Sequence, residues 1–183
     1  MFQRLAIPEV FLFTPERRRD ARGEFTVTFV KETLDAMTGP LDWMQDNQSL
    51  SFARGTLRGL HLQAPPHAQA KLVRCIRGAI LDVAVDVRKD SPTFGRHVSA
   101  ELSGSTDAQI FVPAGFAHGF VTLTPDALVA YKVTHAYAPQ SERGVLWRDP
   151  ALGIDWRFPA DEITVNARDE GLPTLAEAGV LFP

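Results

Sequence analysis

The sequence predicts an all-β fold, a jelly-roll barrel or sandwich of antiparallel strands with a few short helices. Short stretches of alternating apolar and polar residues are broken by Gly, Pro, Asp and Ser, and the 13 Gly and 13 Pro are spread along the chain. Helical periodicity is scarce. Parallel strands need crossovers of about a dozen residues or more, for which this chain has no room, so antiparallel pairing is expected.

The composition predicts one globular domain over residues 1–183. Hydrophobic residues make up 45% and charged residues 22% of the chain, which is ordinary for a packed domain and unlike disordered or fibrous proteins. No repeat, low-complexity tract or domain boundary is visible. A chain of this length can bury a core of its own.

The individual elements follow from the alternation and from the breakers, in chain order. Apolar strands are expected at 10–13 and 25–30, and a two-turn helix at 30–37 is ended by Gly39 and Pro40. The clearest strand is 80–88, where every second residue from Leu81 to Val87 is apolar. The remaining candidates are strands at 71–76, 97–102, 109–112, 119–123 and 127–137, and a single helical turn at 174–178.

Charge and cysteine content narrow the classes of partner. Nineteen Lys and Arg against 22 Asp and Glu give a net charge of −3, which argues against a general electrostatic attachment to nucleic acid or to an anionic membrane. Cys75 is the only cysteine, so no disulfide framework or cysteine-rich zinc site is possible, and a cytoplasmic location is expected. The first apolar stretch has only four residues, so no secretory signal is predicted, and no apolar segment is long enough to predict a membrane span.

The segment 54–63 holds two arginines and a histidine among glycines, and it is too polar to be plain core. On a regular strand, Gly59, His61 and Gln63 share one face and Arg58 lies on the other. An isolated histidine is more often a surface residue or a hydrogen-bonded core residue than a functional one. The neighbouring cations favour a functional His61.

A second histidine, His118, follows a Pro-x-Gly turn at the start of an apolar strand. Small β-barrels of the cupin type carry a similar element, in which the histidine is a metal ligand. A metal site needs three or four imidazole and carboxylate donors, yet Gln63 stands two residues after His61, and Lys71 stands where a carboxylate is expected. His67 lies in a loop expected to be exposed. The sequence therefore predicts a cupin-like barrel without a catalytic metal.

Proton transfer next to a carbonyl is the reaction class that needs only an imidazole, a phenol and a cation. His61 is the candidate base, Lys71 the cation and Tyr131 the phenol, with a carboxylate required to orient the imidazole. The alternative for Tyr131 is a structural role, as a tyrosine that lines the barrel and whose hydroxyl bonds to some other partner. The alternative for Asp169 is a structural role in a turn or as a helix cap, and its distance from His61 in the sequence does not show that the two residues are paired.

Several polar residues are candidates for binding an anionic or sugar-containing ligand. Arg22, Arg58 and Arg168 are scattered in the sequence and are ordinarily surface charges, but they would bind a diphosphate if folding gathers them. The triplet 45–47, which otherwise reads as a turn, offers amide and carboxylate groups that suit a nucleobase or a sugar.

Taken together, the motifs resemble the dTDP-4-dehydrorhamnose 3,5-epimerase family from about residue 7 to residue 175. They occur in the family's order and are dense enough to make chance agreement implausible. The stretches concerned are Leu57-Arg58-Gly59-Leu60-His61-Leu62-Gln63, Lys71-Leu72-Val73-Arg74, residues 82–88 and 91–95, residues 113–120, Tyr131-Lys132 and Trp147-Arg148-Asp149-Pro150.

The resemblance implies a homodimeric jelly-roll enzyme that inverts carbons 3 and 5 of dTDP-4-keto-6-deoxy-D-glucose without a cofactor or metal, in the biosynthesis of dTDP-L-rhamnose. It implies His61 as the base, Asp169 as its carboxylate partner, Tyr131 as the acid on the opposite face and Lys71 as the group that stabilises the enolate. The implied substrate-binding residues are Arg22, Gln45, Asp46, Asn47, Arg58, His118, Glu142 and Arg168.

The chain departs from the family pattern at Val27, where a glutamate that contributes to nucleotide binding is usual, and at Phe111, where tryptophan is common. Three alternatives stay open at this point. Relatives with the same framework epimerise only carbon 3 or only carbon 5. A metal-dependent cupin oxygenase would also use a histidine-lined barrel. A sugar-nucleotide binding module without turnover would leave His61 dispensable.

Overall fold

The computed structural model describes all 183 residues, and strands dominate it. There are thirteen strands, two α-helices and two 3₁₀ helices, the latter at Pro139–Ser141 and Ala160–Glu162. The α-helices are α1, Lys31–Thr38, and α2, Ala167–Glu170. The strands are β1 Phe2–Arg4, β2 Phe11–Phe13, β3 Arg17–Asp20, β4 Gly23–Thr26, β5 Gln45–Ser51, β6 Leu57–Gln63, β7 Lys71–Arg77, β8 Ala79–Asp86, β9 His97–Ser103, β10 Gln109–Val112, β11 Phe116–Thr122, β12 Ala127–Val133 and β13 Glu142–Gly144.

Two antiparallel sheets form a sandwich, which confirms the predicted fold class. The six-stranded sheet has the order β1-β2-β10-β7-β12-β5, and the five-stranded sheet has the order β13-β6-β11-β8-β9. Strands β3 and β4 form a separate hairpin. Neighbours in each sheet are frequently distant in sequence, which is the pattern that two facing Greek-key sheets produce.

Three clusters of buried apolar residues follow from this layering. The first fills the space between the sheets and includes Val73, Ala84 and Phe120. The second covers the outer face of the five-stranded sheet, where Trp147 and Trp156 from the C-terminal segment pack on it. The third lies on the outer face of the six-stranded sheet beneath α1. Strand β8 is therefore buried on both faces, because it is covered by two different clusters.

Helix α1 agrees with the predicted position within one residue. It ends at Gly39, whose positive φ of 77° is a conformation that glycine adopts without strain. Leu34 is its one fully buried side chain and lies in the third cluster. The single helical turn predicted at 174–178 is a turn rather than a helix, and the strand predicted at 127–137 ends at Val133.

A bulge interrupts the pairing of β6 with β11. His61 pairs with His118, but Arg58 pairs with Phe120, so three steps on β6 match two steps on β11. The extra residue falls next to Gly59, which has φ +132°, and a Cβ there would lie 2.6 Å from the Cα of Gly119. Only glycine fits this approach of two backbones.

The bulge reverses the prediction that Arg58 and His61 lie on opposite faces. Leu57, Leu60 and Leu62 all belong to the outer cluster, so the residues between them point inward. The Arg58 guanidinium reaches across to β5, where Nε donates to Ser51 Oγ at 3.2 Å. The prediction was wrong because a period of two residues holds only for a regular strand.

The described helices are all short. None has both the length and the apolar composition needed to cross a membrane.

Candidate active site

A cavity of about 300 Å³ opens between the two sheets at one end of the sandwich. It receives side chains from both sheets, so its walls are set by the sandwich rather than by a single loop. Polar and titratable groups dominate the lining, in contrast to the apolar cluster that fills the rest of the space. The lining includes His61, Gln63, Lys71, Tyr131 and Glu142.

His61 and Asp169 form a hydrogen-bonded pair although 108 residues separate them. His61 Nε2 lies 2.8 Å from Asp169 Oδ1, and the other carboxylate oxygen accepts the Gly59 backbone N–H at 3.1 Å. Asp169 is positioned by α2, where its own backbone N–H donates to the side chain of Asn166, the N-cap, at 2.7 Å. Asp169 is 1% exposed.

The electrostatics of this pair favour a charged carboxylate beside the imidazole. Burial alone would raise the pKa of Asp169, but the hydrogen bond and charge of His61 hold that pKa below its usual value. With the Nε2 proton donated to Asp169, Nδ1 is the nitrogen of His61 that can accept a proton, and it has no hydrogen-bond partner in the chain. The arrangement is that of an oriented general base.

Lys71 is buried beside His61 and supplies a cation. Its Nζ donates to the backbone carbonyl of His61 at 3.1 Å. Burial lowers the pKa of Lys71 to about 8, and the charges of Asp82 and Glu142 oppose that shift. An ammonium with this pKa is still mostly protonated at neutral pH and is poorly solvated, so it interacts strongly with a developing negative charge.

Tyr131 reaches the same cavity from the opposite sheet. Its strand, β12, alternates so that Tyr131 and Val133 both face inward. Burial raises the pKa of the Tyr131 phenol, and the charge of Arg58 opposes this. The phenol therefore stays protonated at neutral pH, as a general acid must.

His118 lies one strand further in, directly opposite His61 in the register. Its Nε2 lies 3.0 and 2.9 Å from the two carboxylate oxygens of Asp82. Both residues are buried, and burial lowers the pKa of His118 while the charge of Asp82 opposes this.

The mouth of the cavity carries a second group of charges. Glu142 Oε2 accepts hydrogen bonds from the Tyr137 hydroxyl at 2.6 Å and pairs with Arg168 Nη2 at 2.5 Å. Burial raises the pKa of Glu142, but these two partners bring it below its usual value. Gln45 and Asn47 also line the cavity and are hydrogen-bonded to each other at 2.7 Å.

Two of the predicted binding residues lie elsewhere within the chain. Residues 45–47 belong to strand β5 rather than to a turn, so Asp46 points to the face opposite Gln45 and Asn47. On that outer face it forms an ion pair with Lys132 at 2.8 Å. Arg22 lies at the tip of the β3–β4 hairpin with 90% of its side chain exposed, and its partner is Asp20. The grouping of three arginines is therefore incomplete within one chain.

Sequence reasoning missed three residues at the site. The sequence places Asp82 in a strand and in a family motif without a role, and it gives Tyr137 no role. It places Gln63 on the face of His61 but considers it only as a residue that stands where a metal ligand is expected. Gln63 is 4% exposed and joins two loops, since Nε2 donates to His67 O and Oε1 accepts the Ala138 N–H. A buried amide with each end satisfied fixes the segment that carries Tyr137.

The donor set for a metal ion is not assembled. No three His, Cys, Asp or Glu side chains come together in a geometry that could hold a cation. His67, the spare candidate, bonds Ser141 Oγ at 2.8 Å and packs edge-on against His135, outside the cavity lining. The alternative of a metal-dependent cupin oxygenase therefore lacks its ligands.

Comparison with known proteins agrees with this arrangement. The sequence profile of the dTDP-4-dehydrorhamnose 3,5-epimerases matches residues 4–177. A dTDP-4-dehydrorhamnose 3,5-epimerase of Sinorhizobium fredii is 49% identical over 181 residues, covering 99% of this chain and 92% of that protein.

Solved structures show the same fold with bound nucleotide sugars. The 3,5-epimerase RmlC of Legionella pneumophila, in complex with dTDP-4-keto-L-rhamnose, has a TM-score of 0.91 at 38% identity and covers 96% of this chain and 93% of its own. ChmJ, a 3′-monoepimerase of Streptomyces bikiniensis in complex with dTDP-quinovose, has a TM-score of 0.90 at 37% identity, covering 98% and 92%. This chain belongs to the dTDP-4-dehydrorhamnose 3,5-epimerase family.

Proposed function

We propose that this protein epimerises carbons 3 and 5 of dTDP-4-keto-6-deoxy-D-glucose to form dTDP-4-keto-L-rhamnose, a step of dTDP-L-rhamnose biosynthesis. The observation that carries the proposal is the pairing of His61 with Asp169 in the cavity that Tyr131 enters from the opposite sheet. Family membership supplies the substrate class.

The reaction proceeds by proton transfer alone. His61 Nδ1 takes the proton from the carbon next to the 4-keto group, and the electron pair of the broken C–H bond moves into the carbonyl to form an enolate. The Lys71 ammonium stabilises the enolate oxygen. The enolate then collapses as the Tyr131 hydroxyl donates a proton to the opposite face of the same carbon, which inverts it.

One set of groups serves both carbons because carbons 3 and 5 flank the same carbonyl. The oxyanion position is common to the two steps, and the ring must shift so that each C–H bond in turn meets His61. Asp169 stabilises the imidazolium formed in each step.

The nucleotide end of the substrate requires cations at the cavity mouth. We assign Arg58 and Arg168 to the diphosphate and Gln45 and Asn47 to the sugar or base. The Arg168 side chain is 60% exposed at the mouth, where it pairs with Glu142. Because it is already at the surface, its guanidinium can contact a phosphate of the substrate without moving out of the protein interior.

Turnover in heavy water tests the proposed double inversion. We expect the product to contain deuterium at both carbon 3 and carbon 5, because each returned proton comes from a group that exchanges with solvent. The measurement is proton NMR of the product with the dTDP-4-keto sugar as substrate. Deuterium at one position only would instead identify a monoepimerase of the kind represented by ChmJ.

The rate should fall as pH rises through about 8, since Lys71 must be protonated and its pKa is about 8. Tyr131 does not account for this loss, because its pKa is raised above the ordinary value near 10. The check is a pH profile of kcat/KM for the wild type and for Lys71→Arg. The arginine keeps its charge throughout, so the variant should be slower but should lack the decline near pH 8. An identical alkaline decline in both proteins contradicts the assignment.

We further propose that the protein acts as a homodimer in which the β3–β4 hairpin of one copy completes the cavity of the other. Phe25 on the hairpin and Val27 directly after it are 64% and 48% exposed, and the side chain of Arg22 at the tip, whose partner is Asp20, is 90% exposed. Exposed apolar residues on a two-stranded hairpin are typical of a surface that another copy covers.

Mixing two inactive variants tests this arrangement. In a mixed dimer of Arg22→Ala and His61→Asn chains, one of the two cavities would receive His61 from one copy and Arg22 from the other. We expect activity to reappear after the two variants are refolded together. Each mixed dimer has one complete cavity, so its rate should reach up to about half that of a wild-type dimer. Light scattering gives the mass of the assembly. A monomer, or an absence of recovery in a confirmed mixed dimer, contradicts the proposal.

A further inference from the structure

Asp82 is a buried carboxylate next to the cavity for which the reaction as described has no use. It lies on β8 and is 0% exposed, and both of its oxygens contact His118 Nε2. Removing a carboxylate from water is costly unless positive charge and hydrogen bonds compensate it. A charged Asp82 inside the sandwich therefore needs a positively charged group nearby.

The sheet register places Asp82 behind the reacting groups. Asp82 pairs with Phe120 on β11, so His118, two residues earlier on the same face, is its diagonal neighbour. His118 in turn lies directly opposite His61 on β6. His61, His118 and Asp82 thus form a row that runs from the cavity into the interior across three strands.

The charged and titratable groups around this row come from the neighbouring elements, and His61 at its outer end is paired with Asp169. His118 is acted on by Asp82, by Lys71 and by His61, and Lys71 is acted on by Asp82 and Glu142. Glu142 is already engaged by Arg168 and Tyr137 at the mouth. Of the two carboxylates whose charge favours the ammonium form of Lys71, Asp82 is the one that has no arginine partner.

We propose that Asp82 is a positioning residue of the epimerase reaction: its carboxylate fixes the His118 ring through Nε2 and keeps the Lys71 ammonium charged beside the cavity. With Nε2 donating to Asp82, only Nδ1 of His118 is left to face the other groups. The effect of Asp82 on catalysis rests on the proposed function, whereas its effect on the charge of Lys71 does not.

Removal of the negative charge has a defined consequence for Lys71. In Asp82→Asn the shape of the side chain is kept, but the interaction that opposes the burial of the ammonium is lost. The pKa of Lys71 should then fall below its value of about 8, so that a larger fraction of Lys71 is neutral at pH 7. Asp82→Glu keeps the charge and should restore much of the effect.

NMR titration of the lysines measures this without substrate. The chain has only four lysines, so the ¹³Cε resonances of a lysine-labelled protein are few, and Lys71→Arg identifies the one from Lys71. We expect the Lys71 titration to move to lower pH by one unit or more in Asp82→Asn. The matched control is Asp86→Asn, which removes a second 0%-exposed carboxylate of the same strand, one that binds Arg88 and the 91–93 turn instead of the site.

An unchanged Lys71 titration in folded Asp82→Asn, or an equal shift in Asp86→Asn, overturns the proposal. Should Asp82→Asn fail to fold, the ¹⁵N shifts of His118 in the wild type decide it. A protonated Nε2 is expected, and an unprotonated Nε2 contradicts the hydrogen bond to the carboxylate.

The pH profile of kcat then tests the catalytic part. In Asp82→Asn the alkaline decline should begin at lower pH, while KM changes little, so the rate deficit should be larger at pH 8 than at pH 6. A purely structural role would lower kcat by one factor at every pH and contradicts the proposal. If the wild type itself has no epimerase activity, the proposed function fails, and the NMR titration still judges the role of Asp82.

Discussion

Replacing His61 by asparagine is expected to lower kcat for epimerisation by about 10²–10⁴-fold, the range that a positioned general base contributes. Asparagine is polar and smaller than histidine, so it fits the site, but it has no imidazole nitrogen to accept the carbon-bound proton. Exchange of substrate protons with heavy water should fall by the same factor, because both processes begin with that abstraction. Steady-state kinetics and NMR of the substrate pool measure the two quantities.

Binding of dTDP by the His61→Asn variant should be retained, since His61 is assigned no contact with the nucleotide. The matched control is His67→Asn, which changes another histidine that bonds Ser141 and lies outside the cavity lining. This control should turn over at close to the wild-type rate. A His61→Asn protein that binds dTDP and reacts at the wild-type rate contradicts the mechanism, and a wild type that binds dTDP without turnover favours a binding module.

The layering of the fold could be predicted because its signal is local. Alternation in 80–88 and the breakers around 30–40 located β8 and α1 closely, since a strand period of two residues and a Gly-Pro stop are properties of short segments. The partnership of His61 with Asp169 is different. Nothing in the spacing of 108 residues brings them together, and only the resemblance to a family placed the two in one site.

Other parts of the site depend on geometry that no local pattern contains. The face of Arg58 is set by a bulge at Gly59, which exists because β11 approaches too closely for a side chain there. The role of Asp82 was hidden because an aspartate in an alternating strand looks solvent-facing, whereas β8 is covered on both sides. Arg22 lies outside the cavity of its own chain, and a single sequence does not show what a second copy would contribute.

Replacing Tyr131 by phenylalanine is expected to separate proton exchange from inversion. His61 and Asp169 are untouched, so abstraction continues, and the imidazole returns a solvent-derived deuteron to the face from which it took the proton. The opposite face has lost its acid, because phenylalanine lacks the hydroxyl of Tyr131. Burial raises the pKa of that hydroxyl, which keeps it protonated at neutral pH in the wild type. Epimerised product should therefore form about 10²-fold or more slowly, while deuterium enters unepimerised substrate at close to the wild-type rate of abstraction.

The matched control is Tyr137→Phe, which removes the only other tyrosine hydroxyl in the chain and with it a hydrogen bond to Glu142 at the mouth. It should raise KM and leave the ratio of exchange to inversion unchanged, because no group that meets the reacting carbon is altered. If Tyr131→Phe slows exchange and inversion by one common factor, the phenol acts in abstraction rather than in reprotonation. If inversion keeps its wild-type rate, water supplies the second proton. Either outcome contradicts the assignment of Tyr131 as the acid that protonates the face of the ring opposite His61.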